Sequence, residues 1–335
     1  MSYGNVCEMK GRRVEMHTFK WGFVGAGMIA KKALYPAISK SSVGEIYAVA
    51  SRDADRAMTI SPKGLIYTDY DQMFADPAVE GVYISLPNAF HLPVAIKAMK
   101  AGKHVLCEKP LGMNAAEVRE AIDVSEKMGV LFVEASWNRW HPRTQRVHEI
   151  VRSGKLGAIK RIRTAFTYSG LDDANIRLDP TIGGGILYDL GPYSTVAPLW
   201  LLDFPKVENL SVQTVFHAGG VDETTRVNYR LGNTVCETVA SCNIPDSSWF
   251  IVEGEKGSVR MGGMNAFNSH NAPSDLEIEI DGVTTIENFR GCDPYQLMAD
   301  AFAGRARGGS DWVMPLSESL RFAELFDAAF ALMKK

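Results

Sequence analysis

The sequence predicts two unlike domains: a doubly wound α/β half with a parallel sheet, then an α+β half built on a mostly antiparallel sheet. Strand-like and helix-like stretches alternate from Phe19 to Glu134, the order in which each strand is followed by a crossover helix. A glycine-rich turn follows the first of those strands. From Arg161 onward, short alternating runs separated by turn residues replace the helices, as antiparallel pairing requires. With 335 residues, 46% of them hydrophobic and 22% charged, the chain can build two cores.

Phe19 to Val24 reads as a buried strand, running into Gly25-Ala26-Gly27-Met28-Ile29-Ala30 and a helix through Ile38. This is the G-x-G-x-x-G/A fingerprint of a dinucleotide-binding Rossmann domain. Gly25 allows the turn, Gly27 lets the backbone approach a pyrophosphate, and Ala30 lets helix pack on strand. The helix N-terminus, with Met28 and Ile29, then faces the phosphates. The second strand, Glu45 to Ala50, ends in Ser51-Arg52, where NAD-selective sites place an acidic residue on the ribose. Arg52 can pair with a 2′-phosphate and Ser51 can hydrogen-bond it, which favours NADP, while Asp53 begins the next helix as a cap. The alternative is NAD, with Asp53 on the ribose and Arg52 in solvent.

Two later strands, Gly81 to Leu86 and His104 to Cys107, run into Pro87-Asn88-Ala89-Phe90-His91 and Glu108-Lys109-Pro110. Helices follow at Leu92 to Ala101 and Ala115 to Met128, and a strand at Val130 to Glu134 precedes Trp137-Asn138-Arg139-Trp140-His141-Pro142. Ligands of such a sheet sit outside its carboxyl strand ends. A lysine at one of them points to a chemical step beside the cofactor. In the second half, Ile162, Thr164, Phe166 and Tyr168 alternate with Arg161, Arg163, Ala165 and Thr167 as in a strand with one covered face. Thr225 to Leu231, Thr234 to Cys242, Trp249 to Glu253 and Ser258 to Met261 are further strands. Leu276 to Ile280 and Val283 to Ile286 form a hairpin about Asp281-Gly282, a type I′ turn. The closing helix, Ser317 to Met333, carries a core stripe.

A net charge of −3 excludes a broad phosphate-binding face for nucleic acid. Nothing approaches the roughly 20 apolar residues of a membrane span, and Met1 to Lys20 lacks a signal peptide's apolar centre, so a cytoplasmic protein is expected. The five cysteines are scattered, read as reduced and mostly buried. The histidines and carboxylates show no metal-ligand spacing, so no metal is expected.

Taken together, the Gly25 turn, Pro87-Asn88 with His91, Ala101 to Val105, Glu108-Lys109-Pro110, Gly183-Gly184-Gly185 with Asp189-Leu190-Gly191-Pro192-Tyr193, and Glu253 to Gly257 resemble the glucose-fructose oxidoreductase, inositol dehydrogenase and rhizopine-catabolism (Gfo/Idh/MocA) family. The resemblance runs from Lys20 to the C-terminus. It implies an N-terminal Rossmann domain, a C-terminal domain on a large open sheet that serves as the interface of a homodimer or homotetramer, and a cis Lys109–Pro110 peptide, affordable only before proline. Boundaries follow as a tail over residues 1–18, a cofactor domain over 19–142 and a substrate domain over 143–335. Two features depart from the family pattern: the second helix is shortened around Thr59 to Gly64, and the tail, read as flexible, has no counterpart.

The resemblance also implies roles. Tyr193 is the general acid or base towards a sugar carbonyl or hydroxyl, Lys109 bonds the reacting oxygen and the cofactor ribose, and Asp189 orients substrate or lysine. Asp189 and Tyr193 stand at i and i+4, one face of a helix, although Pro192 between them would bend or end it. Leu86, Pro87, Asn88, Glu108, Arg139 and Arg177 are further cofactor candidates. His91 either contacts the nicotinamide end or caps a helix; Trp137, Arg139 and His141 either touch ligand or pack between domains. The expected activity is NADP-dependent hydride transfer to or from a ring carbon of a sugar, nucleotide-linked sugar or cyclic polyol. Aldose 1-dehydrogenase and trans-dihydrodiol dehydrogenase are the alternatives, and a non-catalytic NAD(P) or sugar sensor is the alternative of another class.

Overall fold

The computed structural model describes residues 17–61, 65–262, 266–267 and 270–333. The expectations for the first sixteen residues and for Pro62 to Gly64 lie outside them. The first half contains β1 (Phe19–Val24), α1 (Tyr35–Lys40), β2 (Gly44–Ala50), α2 (Ala54–Met58), β3 (Ile66–Tyr67), α3 (Tyr70–Ala75), β4 (Gly81–Ile84), α4 (His91–Lys100), β5 (His104–Cys107), α5 (Ala115–Met128) and β6 (Phe132–Glu134). Its six strands are parallel in the order β3-β2-β1-β4-β5-β6, the doubly wound arrangement the alternation predicted. Val82, Tyr83 and Ile84 are wholly buried, because helices cover both faces of the sheet. The helix expected through Ile38 opens at Met28 and passes through a π turn, Ala30–Leu34, in which the Tyr35 N–H donates to the Ala30 carbonyl. Pro36 follows and has no N–H to continue a regular ladder. The second helix is indeed short, five residues capped by Asp53, whose carboxylate accepts the Arg56 N–H at 3.0 Å.

The second half contains α6 (Pro142–Arg152), β7 (Ile159–Thr167), α7 (Ile186–Leu190), α8 (Ala197–Leu201), β8 (Val207–Phe216), β9 (Asp222–Leu231), β10 (Thr234–Ser241), β11 (Ser247–Gly254), β12 (Gly257–Met261), β13 (Ser274–Ile280), β14 (Val283–Phe289), α9 (Pro294–Ala306) and α10 (Leu316–Leu332). Its eight strands run β14-β13-β12-β11-β7-β10-β9-β8, antiparallel except for the parallel β7–β10 pair. The β13–β14 turn has positive φ at both Asp281 (49°) and Gly282 (79°), the type I′ geometry its Asp-Gly sequence predicts.

The last two helices return to the first sheet and join the halves. Phe302 of α9 lies 5.1 Å from the Trp21 ring of β1, and Met298 and Phe302 are fully buried. Each such side chain contributes about 1.5–3 kcal/mol. Helix α10 meets α5, with Arg119 2.6 Å from Glu324 and the Asp327 carboxylate accepting the Ala115 N–H at 3.0 Å. Among the described residues no helix is long and apolar enough to cross a membrane.

Candidate active site

A cleft of about 1230 Å³ opens between the carboxyl edge of the parallel sheet and the second sheet. At its floor Gly25 has φ +88°, and a Cβ there would stand 3.0 Å from the Leu86 side chain. The helix beyond begins at Gly27, whose carbonyl accepts the Lys31 N–H. The first N–H groups of that helix, on Met28 and Ile29, have no helical partner. This cradle fits a dinucleotide pyrophosphate. Ser51 and Arg52 line the far end of the cleft together with Arg56. Arg56, four residues after Arg52, is a second cation there that sequence reading missed. Asp53 is spent on the α2 cap and on Arg56 Nε at 3.2 Å.

Leu86, Pro87, Asn88, His91, Glu108 and Lys109 all line the middle of the cleft. His91 is 1% exposed, with its ring nitrogens 2.8 Å from the carbonyl oxygens of Leu86 and Pro110. It therefore braces the two strand-end loops, and burial holds its pKa below the ordinary histidine value. The Lys109–Pro110 peptide is cis. Glu108 accepts the Tyr83 hydroxyl at 2.6 Å, and burial pushes its carboxyl up.

The substrate side is built on a short helix. The Asp222 carboxylate on β9 accepts the Leu187 N–H and the Thr225 hydroxyl, both at 2.8 Å, and so holds the start of α7. Gly185 (φ +121°) precedes it; a Cβ there would lie 2.4 Å from Asp222 Oδ1. Regular helix stops at Leu190, before Pro192, as a residue without an N–H dictates. The predicted helical spacing is thus broken, yet Asp189 and Tyr193 both line the cleft.

Asp189 is the hub. Lys109 Nζ donates to its backbone carbonyl at 2.6 Å and its Oδ1 at 3.1 Å, Arg177 Nε donates to Oδ2 at 2.7 Å, and the Tyr168 hydroxyl donates to Oδ2 at 3.0 Å. Burial raises the Asp189 pKa, but Lys109 and Arg177 outweigh it and hold the carboxyl well below the usual range. Burial lowers that of Lys109, but Asp189, Tyr193 and Glu108 keep its ammonium above the ordinary value. That ammonium lies 5.0 Å from the centre of the Tyr193 ring. Tyr193 is pushed up to about 12, chiefly by burial, with Lys109 and a hydrogen bond from Trp137 pulling against it. A protonated phenol and a cation thus meet in one cleft, the pair needed to move a proton to an oxygen that develops negative charge.

Arg139 is a correction. It lies outside the lining, with its guanidinium 2.6 Å from Glu318 and 4.5 Å from the centre of the Trp200 ring. A carboxylate and an indole face satisfy it where it is buried. His141 likewise caps α6, its Nδ1 accepting the Arg143 N–H at 3.1 Å. Trp137 does line the cleft. Tyr168 and Tyr295 were missed as site residues: the first had been read only as a strand position, and nothing local marks the second. Among the described residues, no group of three metal-ligating side chains is placed to hold an ion.

Residues 19–136 match the model of an oxidoreductase family with an NAD-binding Rossmann fold, and residues 144–260 match a GFO/IDH/MocA C-terminal domain. An NADP⁺-linked D-xylose 1-dehydrogenase of Haloferax volcanii is 33% identical over 321 residues, 92% of this chain and 96% of that one. The trans-1,2-dihydrobenzene-1,2-diol dehydrogenase of Mus musculus is 34% identical over 253 residues, 72% of this chain and 74% of that one. Among solved structures, a 3-ketoreductase of Actinomadura kijaniata in complex with NADP and TDP-benzene superimposes with a TM-score of 0.87 at 23% identity, covering 94% of this chain and 98% of that one.

Proposed function

From the premise that the chain belongs to the GFO/IDH/MocA oxidoreductase family, we propose that it is an NADP-dependent oxidoreductase acting on a ring carbon of an uncharged sugar or cyclic diol. The observation that carries the reading is the meeting of Lys109, Asp189 and Tyr193 in the cleft that begins at the glycine turn. Bound along Gly25 to Ile29, with its 2′-phosphate between Arg52 and Arg56, the cofactor would exchange a hydride with the substrate carbon. The chain's own part is to hold the substrate oxygen near the Lys109 ammonium and to pass a proton between that oxygen and Tyr193. A sensor would need neither group.

Charge favours an uncharged ring. The two cations lining the substrate side, Lys109 and Arg177, are both committed to Asp189, and Asp246 adds a further negative group to the rim. Arg177 offers a diphosphate linker only its terminal amino groups, and Asp189 and Asp246 offset much of that charge. The xylose and dihydrobenzenediol dehydrogenases act on rings of that uncharged kind. NADPH absorbance with a panel of aldoses, cyclic diols and their ketones is expected to change, while a nucleotide-linked keto sugar is left untouched. Turnover confined to the nucleotide-linked compound would overturn this reading. In the same assay Arg52→Ala with Arg56→Ala is expected to raise KM for NADPH at least roughly tenfold and leave that for NADH unchanged, the loss of charge-assisted bonds to a phosphate. Equal effects on both cofactors would assign the pair no phosphate.

The oligomer belongs to the same reading. On one face of the second sheet, Trp249 and Val239 flank Ala165 across three strands and remain partly exposed in the monomer. This apolar row is the proposed contact between copies. Light scattering is expected to give a multiple of the 36.8 kDa chain mass, and Trp249→Glu to return it to a monomer; a monomeric wild-type protein refutes the contact.

A further inference from the structure

Trp137 opens a short 3₁₀ turn after β6 and is 5% exposed. Its Nε1 lies 2.8 Å from the Tyr193 hydroxyl oxygen. An indole nitrogen can only donate, so the direction of this bond is fixed: Trp137 gives the hydrogen and Tyr193 receives it. A phenolic oxygen that accepts from the indole keeps its own hydrogen free to donate to a second oxygen in the cleft. The indole is itself clamped, stacked on Tyr295 at 4.9 Å and 23° with His270 edge-on at 6.4 Å. Three elements far apart in sequence thus converge to aim one hydroxyl.

We propose that Trp137 is a positioning residue for Tyr193: its indole N–H holds the phenolic oxygen, directs the phenolic hydrogen at the substrate oxygen, and remains as a donor when that hydrogen has left. The inference rests on Tyr193 being the acid–base group. In ketone reduction the Tyr193 O–H bond breaks and an O–H bond forms on the substrate oxygen, the carbon taking the hydride that a bound nicotinamide would supply. The electron pair stays on the phenolate, and Trp137 keeps its proton throughout. Oxidation runs the same transfer backwards, the phenolate taking the alcohol proton.

The other groups facing Tyr193 are Lys109 and Glu108 at the end of β5, Asp189 of α7, Arg177 of the preceding turn and Tyr295 of α9. Lys109 favours the phenolate, and Glu108 and Asp189 oppose it. None of them is removed by Trp137→Phe, which deletes the N–H and keeps a ring on Tyr295. The readout is kcat/KM for alcohol oxidation against pH, whose alkaline rise reports ionisation in the free enzyme. In Trp137→Phe that rise is expected to move to higher pH by about one to two units, the size of a hydrogen bond to a charged acceptor, with NADPH affinity unchanged. A rise that stays at its wild-type pH overturns the proposal.

Should Trp137→Phe fold poorly, wild-type chain made with a fluorinated tryptophan reads the same bond, since its more acidic N–H donates more strongly. The rise then moves to lower pH, and an unmoved rise again overturns the proposal. Tyr193→Phe separates the two claims. If it turns over at the wild-type rate, the acid–base reading itself fails; if it is inactive while the Trp137→Phe profile stays put, Trp137 alone loses its role.

Discussion

Replacing Tyr193 by phenylalanine is expected to lower kcat about 10²–10⁴-fold, the usual contribution of a placed general acid or base, while NADPH still binds. The ring survives the change, so its packing on Phe166 at 5.5 Å and beneath the Lys109 ammonium is kept. What disappears is the hydroxyl, and with it the partner of the Trp137 N–H, which costs about 1–3 kcal/mol of stability. The pH dependence of the wild-type enzyme gives an independent check. With Tyr193 pushed up to about 12, the protonated acid is present across the neutral range, so ketone reduction should be flat there. Alcohol oxidation needs the phenolate and should rise with pH through the alkaline range. A folded Tyr193→Phe protein with wild-type kcat, measured by NADPH absorbance and checked by fluorescence titration of the cofactor, would remove this residue from the chemistry.

Lys109→Met is expected to lower kcat about 10²–10³-fold, the scale seen when one preorganised stabiliser of a developing oxyanion is removed. Two effects combine. The cation nearest the reacting oxygen is lost, and so is the group that pulls the Tyr193 pKa down. The alkaline rise of the oxidation profile should therefore also move to higher pH. Asp189 remains ionised beside Arg177 and still accepts from Tyr168, so the variant should melt as a single folded species. Steady-state rates with a thermal melt decide it: unchanged turnover in Lys109→Met would assign the oxygen-polarising role elsewhere.

What could be read from the sequence was local. The strand ends and the glycine turn follow from a period of two, a few turn residues and one fingerprint, each confined to a dozen neighbours. Lys109 and Asp189 came together across 80 residues because a family pattern linked them, not because any local signal did. Strand β8 went unread although Leu210 to Phe216 alternate in burial: Val215 puts an apolar side chain on the exposed face, and Asn209, at φ 52°, shifts the register just before it. Helix α9 went unread although it buries Tyr295, Met298 and Phe302. Partnerships across the two halves were invisible for a related reason. Whether Arg139 meets a cofactor or Glu318, and whether Trp137 packs or donates, depends on how α9, α10 and the second sheet close on the first. No spacing encodes that.

The single carboxylate of Asp189 answers two cations and a phenol, and this has a consequence for redesign. Changes at Lys109, Arg177 and Tyr168 cannot be treated as separate increments, because each alters the charge that the other two are balancing. Asp246 and Ser247, by contrast, sit on the rim at the start of β11 and make no bond to that carboxylate. Selectivity for one ring over another can therefore drift, or be engineered, by substituting the rim one residue at a time, whereas the hub changes only as a whole.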